Sequence, residues 1–409
     1  MKKVGKITIL FCLLLLYVYI CCIDSIPDNI ILFQGEDVTI KPMLGIQIEN
    51  LEEYIRTEPV LQASSSNDVQ KVSSLGKIDL GVSLFHAFHI KDVSVNVIPA
   101  TKVIPIGSSV GMKLYTSGVL VVGKSEIEGQ KPYENADIEE GDRIISINQE
   151  KIQTTDDLIE TVNNSNGKNL QIAYIRDNAT CTTSIQPVKT KDNEYKIGLW
   201  VRDAAAGVGT LTFYEPSTGN YGALGHGILD IDTSELIEIA KGELVSTHIL
   251  SIQKGERGNP GEIRGTIEGG TTLGSVTKNT PLGIYGTLNN TSSLHLNEND
   301  ALEVALREDV EEGEASIICQ LDNGNKQEYS IEIRKIYRNN TTDNKSFLIK
   351  VTDEELLGKT GGIIQGMSGS PIIQNGKFIG AVTHVLVNDP TMGYGVFADM
   401  MLKQTRSVE

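Results

Sequence analysis

The chain has 409 residues, with 36 Lys or Arg against 53 Asp or Glu, and its net charge at pH 7 is −17. Such an acidic chain, without a basic patch between aromatic residues, excludes nucleic acid as an expected partner. The length allows two or three domains with substantial cores. Forty Gly residues and recurrent apolar alternation predict a mainly β fold.

Residues 1–25 are predicted to be an N-terminal signal or membrane anchor. Lys2, Lys3 and Lys6 precede an uncharged run over 7–23 that is long and apolar enough for either role. No Ala-x-Ala-like cleavage site follows, which favours an uncleaved anchor over a cleaved signal. The charge asymmetry then predicts that the rest of the chain lies outside the cytoplasm.

Residues 26–104 are predicted to form a β-rich stalk. Strand-like runs occur at 29–33, 38–40, 80–88 and 93–98. His86 and His89 have no further metal ligands nearby in the sequence, so they are interpreted as ordinary strand residues. Cys181 and Cys319, the two cysteines beyond the anchor, indicate neither a disulfide framework nor a metal site. We therefore expect no metal and no cofactor.

Residues 105–190 are predicted to form a PDZ domain. The segment from Ala136 to Asn148, Ala-x-Ile-x-x-Gly-Asp-x-Ile-x-x-Ile-Asn, resembles a bacterial PDZ domain, and a capped helix is predicted at 155–162. A PDZ domain binds an extended peptide between a strand and a helix. By resemblance, the strand would be Gly111-Met112-Lys113-Leu114. A β-rich packing domain without a ligand is the alternative.

Residues 195–405 are predicted to form a second, larger domain. Strands are expected at 197–201, 208–214, 221–224, 284–288, 315–320, 329–337 and 347–351. The charged, Gly-rich residues 254–274 are interpreted as a loop. They do not form a phosphate cradle, because no Gly-Lys-Ser/Thr follows them.

Ser368 is the candidate nucleophile of this domain. It lies in Gly366-Met-Ser-Gly-Ser-Pro371, where small neighbours would let a carbonyl group approach and leave backbone N–H groups free. The Asn375-Gly376 turn between apolar runs predicts a β-hairpin next. This order resembles trypsin-like serine proteases, although a plain Gly/Ser turn is the alternative. An esterase elbow is disfavoured, because it has Gly two residues after the serine and a helix beyond.

The candidate base is His226, which lies between two glycines at a strand end and is accessible on both sides, as a general base must be. A turn residue without a role is the alternative. His384 competes with it, but a histidine inside a strand fits a pocket wall better. Asp353 falls in a Thr-x-x-Glu capping box, so a helix start also explains it. Residue types alone do not choose Asp353 over Asp230 or Asp232 as the third catalytic residue.

Four segments together resemble the peptidase domain of the stage IV sporulation protein B family: Gly222-Ala-Leu-Gly-His226, Thr352-Asp353, Thr360 to Pro371, and Gly380-Ala-Val-Thr-His-Val385. The resemblance covers about residues 105–402 and implies a trypsin-like β-barrel peptidase after the PDZ domain. It implies a triad of Ser368 as nucleophile, His226 as base and Asp353 as the orienting acid. The N–H groups of Gly366 and Ser368 would form the oxyanion hole.

The resemblance also implies a pathway. Such peptidases act between the two membranes around the forespore, where they cleave themselves and an inhibitory partner of an intramembrane metalloprotease, which activates a late sigma factor. The expected partners are thus a protein substrate, a peptide ligand of the PDZ domain and the membrane. Two alternatives stay open: a membrane-tethered PDZ binding protein with an inactive peptidase domain, and a structural envelope protein.

Overall fold

A computed structural model describes residues 29–34, 46–49, 55–56, 71–72, 76–84, 88–177, 179–294, 296–338 and 344–406. The chain divides into two compact units, Met1–Thr101 and Lys102–Glu409. The predicted anchor at 1–25, the predicted strand at 38–40 and His86 lie outside the described residues. In the described part of the chain, no helix is both long enough and apolar enough to cross a membrane.

The first unit contains a four-stranded sheet in the order β1-β6-β5-β2, with β1 parallel to β6. Its valines 93, 95 and 97 are buried, as the two-residue period of a strand with one covered face requires. The strands predicted at 29–33 and 93–98 are confirmed. The strands of this unit are β1 (Asn29–Phe33), β2 (Ile46–Glu49), β3 (Ile55–Arg56), β4 (Lys71–Val72), β5 (Gly76–Leu84) and β6 (Phe88–Ile98).

The second unit begins with a PDZ-like part, residues 118–202, which has a core of its own. Helix α1 (Thr155–Asn164) starts with a capping box between Thr154 and Asp157 and buries Leu158 and Val162 in that core. The predicted helix is confirmed. The strands that begin in this region are β7 (Lys102–Lys124), β8 (Arg143–Ile147), β9 (Glu150–Lys151), β10 (Leu170–Arg176), β11 (Ala179–Ile185), β12 (Val188–Lys189), β13 (Tyr195–Lys196) and β14 (Leu199–Glu215).

A ring of six strands follows, in the order β7-β14-β15-β18-β17-β16, and β16 pairs back to β7. Strand β7 therefore serves two cores: Val110 and Met112 are buried in the ring, whereas Val119 and Val121 are buried in the PDZ-like part. The remaining strands of the ring, and a short strand that pairs with β7, are β15 (Asn220–Ala223), β16 (Ile239–Gln253), β17 (Glu262–Thr280), β18 (Gly283–Leu288) and β19 (Leu302–Glu303).

The loop predicted at 254–274 is wrong over most of its length, because β17 begins at Glu262. The physical reason is visible at Gly274, where a Cβ atom would lie 2.3 Å from the carbonyl oxygen of Thr287 on the neighbouring strand. Glycine at this position permits close approach of two strands rather than a loop.

A second six-stranded barrel is closed in the order β20-β21-β22-β25-β24-β23. Its β23–β24 hairpin turns at Asn375 (φ 52°) and Gly376 (φ 74°), as the sequence predicts. The elements of this region are β20 (Gly313–Cys319), β21 (Gln327–Ile336), β22 (Phe347–Val351), α2 (Glu354–Thr360), β23 (Pro371–Gln374), β24 (Lys377–Leu386), β25 (Asp389–Phe397) and α3 (Ala398–Arg406), and two 3₁₀ turns (Ser292–Leu294 and Glu298–Asp300) precede it.

The two barrels pack against each other. Phe213 of β14 and Phe378 of β24 are both fully buried, with their ring centroids 5.6 Å apart. The mainly β fold is thus confirmed, with two barrels where the sequence predicts a trypsin-like peptidase. The predicted limits of the stalk, the PDZ domain and the peptidase domain stay predictions.

Candidate active site

Ser368 lies in the turn between α2 and β23 and is half-buried. Its hydroxyl donates to the carbonyl oxygen of Thr383 on β24, at 2.7 Å. The next residue, Gly369, has φ 95°, and a Cβ there would lie 2.3 Å from the carbonyl oxygen of Thr210. The small residues around the serine therefore let this turn pack tightly against the first barrel.

His226 follows β15 after two consecutive residues in the left-handed region, Leu224 and Gly225, each with φ 70°. Nδ1 of its imidazole lies 2.9 Å from the carbonyl oxygen of Gly227. A carbonyl oxygen only accepts, so Nδ1 carries the proton and Nε2 is the basic nitrogen. Burial lowers the pKa of His226, while its contact with Gly227 opposes this. The imidazole is thus held in the neutral form that a general base needs.

The rings of His226 and His384 stack, with centroids 5.1 Å apart and an angle of 21° between the planes. Nε2 of His384 lies 3.2 Å from Oδ1 of Asn344. Both histidines and Ser368 line one cleft, so His384 lies in the pocket wall, and its rank below His226 as the base stays a prediction. Asn344 also lines the cleft, although no local sequence pattern indicates it.

This cleft has a volume of about 680 Å³ and lies between the two barrels. Met112 and Val208 come from the first barrel, and Ser368 and His384 come from the second. No Asp, Glu, Lys or Arg is among the described residues that line it. Apart from the two histidines, the wall is therefore uncharged, and most of it is apolar.

The two predicted oxyanion donors are available. The N–H groups of Gly366 and Ser368 donate to no acceptor in the described part of the chain, whereas the intervening Met367 N–H donates to Ile364. Thr210 of β14 holds this turn from the first barrel. Its Oγ1 donates to the Gly366 carbonyl at 2.8 Å, and its N–H donates to the Ser368 carbonyl at 3.0 Å. The arrangement suits an oxyanion hole, which stays a prediction.

The structure does not bring Asp353 to His226. Asp353 is the N-cap of α2, where its carboxylate accepts from the N–H of Leu356 at 2.9 Å and from the N–H of Ser330 at 3.3 Å. It does not line the described cleft. The helix start that the capping box predicts is confirmed, with Asp353 rather than Thr352 as the cap. In this structure the partner of His226 Nδ1 is a backbone carbonyl.

Asp230 and Asp232, the other two candidates for the triad acid, are not paired with His226 either. Their carboxylates pair with Arg202, at 3.0 Å and 2.8 Å respectively. Burial raises the pKa of Asp230, but the N–H groups of Thr233 and Asp232 and the Arg202 guanidinium outweigh it and hold that pKa below its ordinary value. Asp230 is therefore a charged, structural carboxylate.

The peptide-binding strand predicted at Gly111-Met112-Lys113-Leu114 is wrong. These residues pair with β14 on one side, at residues 205–208, and with β16 on the other, at residues 242–245. Both edges are occupied, so no peptide can add to this strand. The first residues of β14, 199–202, pair only with β7 among the described strands, and β14 as a whole contacts α1. The other edge of these residues is not paired with any described strand.

No group of three or more His, Cys, Asp or Glu side chains among the described residues could hold a metal ion. Cys181 and Cys319 are free thiols, and burial raises the pKa of Cys319 to about 12.

The sequence model of one peptidase family, described as SpoIVB peptidase S55, matches residues 193–402, which is more than half of the chain. The chain belongs to the SpoIVB peptidase S55 family. A PDZ-domain model matches residues 42–186. The chain is thus a PDZ-containing serine peptidase of this family, as the sequence motifs indicated.

Solved structures show only remote likeness. The PDZ domain of the SdrC-like protein from Listeria monocytogenes is 18% identical, with 21% of this chain and 87% of that chain covered and a TM-score of 0.18. The active form of the Rv3671c protease from M. tuberculosis is 15% identical, with coverages of 50% and 76% and a TM-score of 0.30. Because these scores are low, the assignment rests on the family model. No curated protein matches the chain.

Proposed function

We propose that this chain is a serine endopeptidase in which Ser368 is the nucleophile and His226 is the general base. The observation that carries the proposal is their position in one cleft, beside two N–H groups without a protein acceptor. Nucleophile, base and oxyanion donors are the groups that acyl transfer requires.

In the first step, Ser368 Oγ attacks the peptide carbonyl carbon as its proton passes to Nε2 of His226. The hydroxyl hydrogen, which points at the Thr383 carbonyl in the resting site, must first turn towards the imidazole. The N–H groups of Gly366 and Ser368 stabilise the oxyanion as the carbonyl double bond opens. His226 then gives the proton to the leaving amine, and a water molecule repeats the sequence on the acyl-enzyme.

The acid of the triad needs a separate test. Asp353 matches the family motif, whereas the Gly227 carbonyl is the group beside Nδ1 of His226. Asp353→Asn separates these roles, because Asn caps a helix about as well as Asp but holds the wrong imidazole tautomer when it replaces a triad acid. A folded but inactive Asp353→Asn would assign the orienting role to Asp353. An active one would leave that role to the carbonyl.

We also propose that the substrate presents uncharged, mainly apolar side chains to the cleft. The wall contains no Asp, Glu, Lys or Arg among its described residues, and burying an unpaired substrate charge there would be costly. Peptide libraries cleaved by the enzyme should therefore be depleted in Asp, Glu, Lys and Arg on either side of the cut.

The biological role proposed from the family resemblance is in endospore formation. The peptidase, anchored through residues 1–25 and facing the space between the two forespore membranes, would cleave itself and a membrane-bound inhibitor of an intramembrane metalloprotease, and so activate a late sigma factor. A peptide at residues 199–202 of β14 would regulate it or deliver the substrate. Replacing the native copy in an endospore-forming host by Ser368→Ala should abolish heat-resistant spores.

The direct test uses the full-length chain, a fluorophosphonate that labels active serines, and N-terminal sequencing of self-cleavage fragments. Ser368→Ala should lose both labelling and fragments. Ser370→Ala is the matched control, because this second serine is only two residues away and is fully buried. Its hydroxyl has no hydrogen-bond partner among the described residues. Activity in Ser368→Ala, or its loss in Ser370→Ala alone, would contradict the assignment. If neither labelling nor self-cleavage fragments occur in any of the three chains, the alternative of a PDZ binding protein with an inactive peptidase domain would be favoured.

A further inference from the structure

The segment that follows His226 is a compact hairpin-like loop, residues 227–238, here named the base loop. Within it, the Ile237 N–H donates to the Ile228 carbonyl at 3.1 Å and the Asp230 N–H donates to the Glu235 carbonyl at 2.8 Å. Asn279 of β17 closes its stem. The Asn279 Oδ1 accepts from the Ile228 N–H at 2.9 Å, and its Nδ2 donates to the carbonyls of Ile228 and Ile237 at 2.8 Å each.

The outer end of the base loop is held by charges from the PDZ-like part. Arg202 of β14 contacts the buried Oδ2 of Asp230 with one guanidinium nitrogen and Asp232 with the other. Arg143 of β8 pairs with Glu238 at 2.6 Å. Two arginines of the PDZ-like part therefore make three ion pairs to the loop that begins beside the base.

Apolar packing contributes little at this end of the loop. Leu229 is 55% exposed and Ile231 is 83% exposed. Asp230 is only 4% exposed, and its other oxygen accepts from the N–H groups of Asp232 and Thr233. Asp230 therefore organises the backbone of the loop, and Arg202 compensates its charge. At its outer end the base loop is therefore fixed mainly by charge, and Arg202 makes two of the three ion pairs there, whereas Asn279 holds the stem.

We propose that Arg202 is a positioning residue for His226, acting through Asp230 and the base loop. This proposal rests on the proposed function, because it takes His226 as the base. The PDZ-like part would then contribute directly to catalysis. Its Arg202 guanidinium would keep the imidazole of His226 at the position where it can accept the proton of Ser368. Small displacements of a catalytic group are sufficient to reduce rates strongly.

The test compares saturable fluorophosphonate labelling of full-length variants, which separates the maximal labelling rate from the half-saturating probe concentration. Arg202→Gln should lower the maximal rate by about tenfold or more, because the base is displaced. The half-saturating concentration should change less than the maximal rate, because the second-barrel wall of the cleft is untouched, although Ile228, Leu229 and Leu236 of the base loop also line the cleft. Arg202→Lys, which keeps the charge and one contact, should recover part of the rate.

Arg176→Gln is the matched control. Arg176 pairs with Asp142 and Asp137 inside the same PDZ-like part, at 2.7 Å and 3.0 Å, and both of these partners lie outside the base loop. A wild-type rate in Arg202→Gln, or an equal loss in Arg176→Gln, would overturn the proposal. If Arg202→Gln does not fold, Arg202→Lys decides, because it keeps the charge at the Asp230 pair but only one contact: a full wild-type maximal rate there would also overturn the proposal. A wild-type chain without labelling would instead count against the proposed function.

Discussion

Thr210 offers a test of the turn that carries the two predicted oxyanion donors, Gly366 and Ser368. It is 3% exposed, and its Oγ1 donates to the Gly366 carbonyl from the opposite barrel. Valine has the same shape without the hydroxyl, so Thr210→Val removes this one bond and leaves the Thr210 N–H bonded to Ser368. The Gly366 carbonyl belongs to the peptide group between the two predicted donors, and its release lets both N–H groups turn away from the cleft.

The magnitude follows from the bond that is lost. A buried carbonyl without its partner costs about 2 kcal/mol, which corresponds to about a thirtyfold lower rate if the whole cost falls on the transition state. Fluorophosphonate labelling of the full-length chain measures this rate. Thr210→Ser keeps the hydroxyl and should label nearly as fast as the wild type. If Thr210→Val labels as fast as Thr210→Ser, this hydrogen bond does not hold the donors and the reasoning is refuted.

Four further predictions concern pH and stability. Burial lowers the pKa of His226 below its ordinary 6.5, so labelling should persist as the pH falls through 6.5 and decline only below it; a midpoint at or above 6.5 would contradict this. The same group should stabilise the fold above pH 6.5, and this stability should be lost as the pH falls towards the folded pKa. In urea denaturation, Asp353→Ala should lose about 1 kcal/mol of unfolding free energy while Asp353→Asn loses little, and equal values would argue against the cap. Asp399 is fully buried against Arg307, so Asp399→Asn should cost about 3–5 kcal/mol, whereas Asp309→Asn at the exposed Lys377 pair should cost about 1 kcal/mol or less. Similar losses in the two variants would be inconsistent with this reasoning.

The elements that depend on interactions within a few residues were predicted correctly from the sequence. The Asn375-Gly376 hairpin and helix α1 follow from turn and capping preferences that act within a few residues. Small neighbours made His226 and Ser368 candidates, and the family resemblance supplied their roles; both residues line one cleft in the structure. Asp353 shows the limit of this approach, because one carboxylate fits both a helix cap and a triad acid, and only the three-dimensional neighbours distinguish them.

Contacts between distant segments were not predictable. The hydrogen bond from Thr210 to Gly366 spans 156 positions in sequence, and nothing near Thr210 indicates its partner. Gly111 to Leu114 look like a free strand because apolar alternation is the same at an edge and in the middle of a sheet. Only the pairing of β7 on both sides shows that this segment belongs to a barrel.

The double role of β7 has a consequence for how such an enzyme can be assembled. The chain leaves the first barrel after Tyr115 and returns at Ala204, and these two residues are direct partners in an antiparallel ladder. Direct partners lie only about 5 Å apart, so a two-residue turn could join them. Residues 116–203 therefore occupy the place of a hairpin turn, which is where a guest domain can be accepted without breaking its host. The host of this insertion is the pair of barrels that forms the cleft, and the inserted residues contribute the Arg202 side chain that pairs with Asp230 beside the cleft.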